Sequence, residues 1–199
     1  MQTFIIIMGA GRCGTSSTIS FLNKKPDFDI YGENESVILS ILEQIYLLNN
    51  SHRFKEPSSV TTNVSYFHDH YIGTEWYNPD DKILKLKIGL INLVKNFFNQ
   101  NKKHIGFKEI RWAHKNLQAL NLLESLYRVK YIHLTRNIKD QISSMTRLNW
   151  TDIKNHISHT NNAINNFLLT KQSNQYIKKN ISVDKNFLED IYNFIVADE

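Results

Sequence analysis

The stretch FIIIMGAGRCGTSST, Phe4 to Thr18, sets an apolar run against three glycines and then releases a cluster of small hydroxyl residues. Phe4–Met8 is short, β-branched and aromatic, and it is bounded by glycine, which predicts a buried parallel strand. Gly14 to Leu22 reads as a helix, with Pro26 beyond its end. A strand that turns through glycines into a helix can aim backbone N–H groups and the positive end of the helix dipole at one point. Thr15, Ser16 and Ser17 add hydroxyl donors there, so an anion is the expected ligand. The plainer reading of the same residues is a tight turn whose glycines only permit close packing.

Outward from this stretch, strands and helices alternate. Asp29–Gly32 reads as a brief second strand or turn, and Ser36–Leu48 carries apolar residues at helical spacing. From Asn49 to Pro79 the chain is polar and aromatic, with two prolines and paired serines, and reads as irregular. Ile83–Phe98 is helical in pattern, and His104–Ile110 is strand-like. One helix is expected through Leu117, Leu120 and Leu123. Val129–Arg136 is the clearest late strand; after it Asn137 can cap a helix with Asp140 in its first turn. Further helices are expected over Ile153–Leu169 and Phe187–Val196. Alternation without hairpin signals predicts a three-layer α/β fold with a mainly parallel sheet, one domain over residues 1–199.

Composition narrows the function classes. With 41% hydrophobic and 22% charged residues the chain is ordinary for a soluble globular protein. Its +5 net charge, from 24 basic and 19 acidic side chains, suits an anionic ligand or a merely solvated basic surface. No Lys/Arg block is dense enough to argue for nucleic acid. The single cysteine, Cys13, excludes an internal disulfide framework and fits a reducing compartment, so a cytoplasmic location is expected. No segment has the roughly 20 apolar residues of a membrane span. The apolar run at Phe4–Met8 is too short for a signal peptide.

The loop GAGRCGTS keeps Gly9 and Gly14, the outer glycines of a nucleotide-binding P-loop. A nucleoside-triphosphate loop places Lys before the hydroxyl, whereas here Gly14 stands there and the cation, Arg12, comes two residues earlier. Without that lysine or an evident strand-end aspartate for magnesium, kinase or ATPase chemistry is disfavoured. Sulfuryl transfer needs no metal, because the SO3 group carries less negative charge than a phosphoryl group.

Here GAGRCGTSS resembles the 5′-phosphosulfate loop of the PAPS-dependent sulfotransferases, where PAPS is 3′-phosphoadenosine 5′-phosphosulfate. YIHLTRNIKDQISSMTR is similar to the same family's 3′-phosphate segment, an Arg ending a strand and a Ser on the next helix, at Arg136 and Ser144. Eight residues span a little over two helical turns, so Ser144 can face the ligand that Arg136 meets from the strand. The resemblance implies that Arg12, Cys13, Gly14, Thr15, Ser16, Ser17, Arg136 and Ser144 bind PAPS, which leaves as PAP with no metal. Arg147, one turn beyond Ser144, reads as a ligand contact or a solvated arginine.

An acceptor hydroxyl or amine must lose a proton as it attacks sulfur. YGENES offers Glu33 and Glu35, and it resembles the segment carrying the base in the carbohydrate-directed branch. Either glutamate fits, and both also suit a helix start as dipole-favoured acids. GFKEIRW resembles a family segment in which a lysine steadies transferring charge, which implies that role for Lys108, with Arg12 opposite. Glu109 and Arg111 then orient neighbours or bind the acceptor; the alternative is an exposed ion-pair cluster at a strand end. The Lys-Thr-His and late Arg-Lys-Gly segments of the cytosolic small-molecule enzymes are absent. The acceptor implied is a small molecule or carbohydrate, and the glutamate segment's resemblance favours a carbohydrate or glycolipid. An atypical P-loop kinase or hydrolase and an inactive nucleotide-binding module remain as rivals.

Other signals are weaker. His68–His70 lacks partners at metal-ligand spacing, and His156 and His159 share a helix face without further ligands, which reads as solvated. Aromatics between Tyr66 and Tyr77 suit a sugar acceptor or a flap over the core. Cys13 sits between Arg12 and a helix start, where a lowered thiol pKa is possible, but it holds the family's small-residue position and reads as structural.

Overall fold

The computed structural model describes residues 2–33, 37–50, 79–98 and 101–197. Its centre is β1, Thr3–Met8, all six residues of which are buried. Each large apolar side chain withdrawn from water there contributes about 1.5–3 kcal/mol. Four further strands follow in the chain: β2 (Phe28–Tyr31), β3 (His104–Glu109), β4 (Arg128–Thr135) and β5 (Tyr176–Asn180). The sheet order is β2-β3-β1-β4-β5, and every neighbouring pair is parallel. The α/β expectation therefore holds.

Helices cover both faces, as a parallel sheet requires. They are α1 (Thr15–Leu22), α2 (Val37–Asn50), α3 (Pro79–Phe97), α4 (His114–Ala119), α5 (Asn121–Glu124), α6 (Ile138–Thr146), α7 (Ile153–Leu168) and α8 (Phe187–Val196). Strand alternation sends Phe4, Ile6 and Met8 into a core with Leu39 and Leu42 of α2, Val94 of α3, Leu117 of α4 and Ile164 of α7. Ile5 and Ile7 point the other way, onto Leu22 of α1 and Ile191 and Ile195 of α8. A small cluster of Ala10, Met145 and Ile157 joins the loop after β1 to α6 and α7.

Several boundaries differ from expectation. The single helix through Leu117, Leu120 and Leu123 is two short ones, α4 and α5, joined by tighter i to i−3 hydrogen bonds from Leu120 N to Leu117 O and from Leu123 N to Leu120 O. α2 runs on through Asn50, and α3 opens at Pro79, whose fixed φ suits a first helical turn. β5 was not foreseen. Asn137 caps α6 as expected, its side-chain oxygen accepting from the Lys139 N–H at 2.9 Å.

Register is what positions the site. Ile7 pairs with Lys108, Met8 with Glu109 on one side, and Met8 with His133 on the other. The loop after β1, the end of β3 and the end of β4 thus emerge together at the carboxyl edge of the sheet, where open α/β folds bind ligands.

Candidate active site

The loop between β1 and α1 is shaped by two glycines. Gly14 caps α1 in the left-handed region, at φ +87°, and a Cβ there would lie 2.9 Å from Ile181 Cδ1. A Cβ on Gly9 would come within 2.6 Å of the Leu134 carbonyl oxygen, so the loop leaves β1 pressed against β4. Arg12 also has a positive φ, 67°, a conformation that the surrounding contacts must hold for a non-glycine residue.

Those contacts come from the β4–α6 segment. Arg12 Nε donates to Ser144 Oγ at 3.0 Å, and Arg136 Nη1 donates to the Arg12 carbonyl at 3.5 Å. Buried Gln141 donates to the carbonyls of Ala10 and Gly11 at 3.2 and 2.6 Å. Two segments more than 120 residues apart are thereby tied into one site. Arg12, Ser16 and Ser17 are exposed, Arg136 and Gly14 are half-buried, and Thr15 and Ser144 are buried.

Cys13 lies beneath this loop, fully buried. Burial pushes its thiol up to about 12, against backbone hydrogen bonds and the opposing pull of Lys108 and Arg136. The lowered thiol pKa that Arg12 and the helix start suggested is therefore not found: desolvation outweighs every opposing effect, and Cys13 can offer a ligand only its backbone. The same balance shows that the charges of Lys108 and Arg136 both act at this loop.

At the end of β3, Lys108 forms an ion pair with Glu33, which follows β2. Lys108 is buried and Glu33 exposed, so the pair opens towards solvent at the carboxyl edge. Glu109 is only 1% exposed. It accepts from the N–H of Ile110 at 2.8 Å, from the N–H of Arg111 at 3.1 Å and from Arg111 Nε at 3.1 Å. Burial alone would raise its carboxyl pKa, but these hydrogen bonds and the guanidinium hold it below the usual range. Lys-Glu-Arg is thus a built turn and not an exposed ion-pair cluster. Trp112 closes the turn by donating from Nε1 to the Glu109 carbonyl at 2.6 Å.

The structure brings Arg12, Cys13, Gly14, Thr15, Ser16, Ser17, Lys108, Glu33, Arg136 and Ser144 to one edge of the sheet. Glu35, His68, His70 and the stretch Tyr66–Tyr77 lie outside the described residues. Arg147 is exposed at the end of α6. His156 is half-buried, its ring 5.4 Å from that of Trp150, and so is not simply solvated. Sequence reasoning missed Gln141, Trp150 and Ile181. Gln141 carried a signal, since it lies three residues before Ser144 and so on the same face of the helix. Among the described residues no group of three or more His, Cys, Asp or Glu is arranged to hold a metal.

No protein-family model matches the chain, and no curated protein does. Solved structures do. The sulfotransferase domain of the olefin synthase of Synechococcus PCC 7002 superposes with a TM-score of 0.60 at 17% identity, over 98% of this chain and 73% of that one. The fold is that of sulfotransferase domains. A sulfotransferase domain from the curacin biosynthetic pathway matches equally well, at 0.60 and 14% identity over 98% and 74%. A sulfotransferase from Alicyclobacillus acidocaldarius gives 0.52 at 16% identity over 98% and 81%. The sulfotransferase fold here keeps its parallel sheet with helices on both faces. No described helix is long and apolar enough to cross a membrane.

Proposed function

We infer that the chain is a PAPS-dependent sulfotransferase that passes a sulfuryl group to a hydroxyl or amine of a small-molecule acceptor. The observation that carries this is the hydrogen bond from Arg12 to Ser144, which joins the two segments that resemble the family's 5′- and 3′-phosphate sites. The residues fit such a donor. An anion at the start of α1 meets backbone N–H groups and the exposed hydroxyls of Ser16 and Ser17. A second anion near Ser144 meets its hydroxyl and the half-buried guanidinium of Arg136.

The donor supplies the sulfuryl group. Lys108 acts electrostatically at the loop and is placed to neutralise negative charge on the departing oxygen, a role this reading shares with Arg12 of the loop itself. Glu33, paired with Lys108, is the proton acceptor this reading assigns to the attacking hydroxyl. The pairing keeps base and cation close together at the carboxyl edge of the sheet. Glu35 keeps the alternative claim to that role, and the glutamate segment's resemblance favours a carbohydrate-type acceptor. The fold likeness supports a transferase of this kind.

Transfer of label from sulfur-labelled PAPS to a panel of glycans, phenols and amines tests the reading. Labelled product formed without added magnesium is the expected result. Hydrolysis of magnesium–ATP in place of transfer, or silence across the panel despite bisphosphate binding, overturns it in favour of the kinase or the inactive module.

A further inference from the structure

We propose that Gln141 is a positioning residue of the anion loop: its buried side-chain amide holds the Gly11–Arg12 peptide with the carbonyl turned inward, so that N–H groups and not a carbonyl oxygen meet the 5′-phosphate of the donor. This deepens the sulfotransferase reading and rests on it.

Gln141 lies on α6 and is 1% exposed. Its Nε2 donates to the Ala10 carbonyl at 3.2 Å and to the Gly11 carbonyl at 2.6 Å. A side-chain amide has two N–H donors, and both are used here. Both partners are acceptors, so the amide can face the loop only with its nitrogen. In a trans peptide the carbonyl and the N–H of the next residue point opposite ways. The N–H groups of Gly11 and Arg12 therefore point away from Gln141. Among the described residues neither donates to a backbone carbonyl, which leaves both for a ligand.

The peptide between Gly11 and Arg12 is also the one able to turn over. These residues are the centre of a turn, with Gly11 outside the left-handed region and Arg12 within it at φ 67°. A positive φ at the second central residue marks the flipped form of a four-residue turn, a place that favours glycine or asparagine. Arginine there leans towards the unflipped form, in which the Gly11 oxygen would face the anion and repel it. Three side chains of the β4–α6 segment reach this turn. Ser144 accepts from the Arg12 side chain and Arg136 donates to the Arg12 carbonyl, whereas Gln141 alone of the three bonds the oxygen that would swing. Docking of α6 does not depend on the amide, because Ala10, Met145 and Ile157 already pack the loop against α6 and α7. A side chain of similar size without donors fills the space; the amide sets the direction.

Calorimetric titrations of the full chain and its Gln141→Met variant with adenosine 3′,5′-bisphosphate and adenosine 3′-monophosphate test this, since the second nucleotide lacks the phosphate that meets the loop. The variant is expected to bind the bisphosphate about tenfold or more weakly and the monophosphate within about twofold, as the loss of a hydrogen bond to a charged group predicts. A positive φ brings a residue's amide proton and Hα together. The cross-peak between these protons of Arg12 is therefore expected to be strong in the unaltered chain and weaker in the variant. A weak cross-peak in the unaltered chain, equal losses for the two nucleotides, or an unchanged bisphosphate affinity overturns the proposal. Gln141→Leu is read in the same way where Gln141→Met melts below the assay temperature, and loss of the fold in both variants overturns it as well, by making Gln141 a residue of the core. An unaltered chain that binds no bisphosphate overturns the sulfotransferase reading and this proposal together, whereas tight bisphosphate binding indifferent to residue 141 overturns this proposal alone.

Discussion

Arg136 touches the loop through a single long hydrogen bond to the Arg12 carbonyl, which leaves most of a guanidinium's five donors to face an incoming anion. Charge-assisted bonds of this kind contribute about 1.5–3 kcal/mol, and each 1.4 kcal/mol is about tenfold in affinity. Arg136→Ala is therefore expected to weaken adenosine 3′,5′-bisphosphate about 10- to 100-fold in a calorimetric titration and to leave ADP nearly unchanged. Equal losses for both nucleotides would contradict a 3′-phosphate role. Glu33→Gln keeps the shape and removes the base, so kcat is expected to fall about 10²- to 10⁴-fold with bisphosphate affinity intact. An unchanged kcat moves the role to Glu35. Cys13, buried with its thiol pushed up to about 12, is expected to resist Ellman's reagent in the native protein and to react once the chain is denatured. Rapid native labelling would mean the loop is open. At this scale, Arg136 and Ser144 became candidates through the resemblance of YIHLTRNIKDQISSMTR to the family's 3′-phosphate segment, and their eight-residue spacing lets both face one ligand. Cys13 reads as structural from the sequence, and its depth in the fold, not the arginine beside it, decides its thiol pKa.

The loop between β1 and α1 depends on contacts from elements far along the chain. Gly14 combines a left-handed φ with close packing against Ile181, which follows β5. Left-handed geometry costs an ordinary L-residue about 1–2 kcal/mol. Gly14→Ala is thus expected to lower the melting temperature by several degrees and to weaken bisphosphate binding. Adding Ile181→Ala relieves the crowding and recovers part of the binding but not the backbone strain. Full stability in the single variant would contradict the strained cap. β1, TFIIIM, was readable as a nearly continuous apolar run, and β3 and β4, HIGFKE and RVKYIHLT, by the β-branched and aromatic residues set among their charges. β5, YIKKN, was not: it is an edge strand, and Lys178 and Lys179 are the charges that protect an edge but erase the apolar pattern. The break between α4 and α5 escaped notice because Leu117, Leu120 and Leu123, three residues apart, fit a 3₁₀ step as well as an α-helix.

The molecule as a whole buries a titratable group in its central layer. His133, on β4, is 1% exposed, and Nε2 lies 3.3 Å from Asn161 Oδ1 on α7. Burial pushes its imidazole down to about 4 from 6.5, with Lys178 acting in the same direction and Asn161 opposing. The unfolded chain therefore takes up this proton first. Stability from the neutral ring is complete above about pH 6.5 and is lost as pH falls towards 4, on the order of 2–3 kcal/mol over that window. Melting temperatures are expected to decline between pH 6.5 and 4.5, with a shallower slope in His133→Gln. Identical slopes would show that the ring titrates freely in the fold. The hydroxyl-rich loop and the arginine after β4 each resemble a family motif, but their meeting at one sheet edge follows from register, which local patterns do not encode.

Calorimetric titration of the full chain with adenosine 3′,5′-bisphosphate, ADP and magnesium–ATP tests most directly whether both segments grip one nucleotide. The bisphosphate is expected to bind without metal and at least tenfold tighter than either competitor, an advantage that disappears in Arg136→Ala. Preference for magnesium–ATP, or equal affinity for bisphosphate and ADP in the unaltered chain, would contradict it.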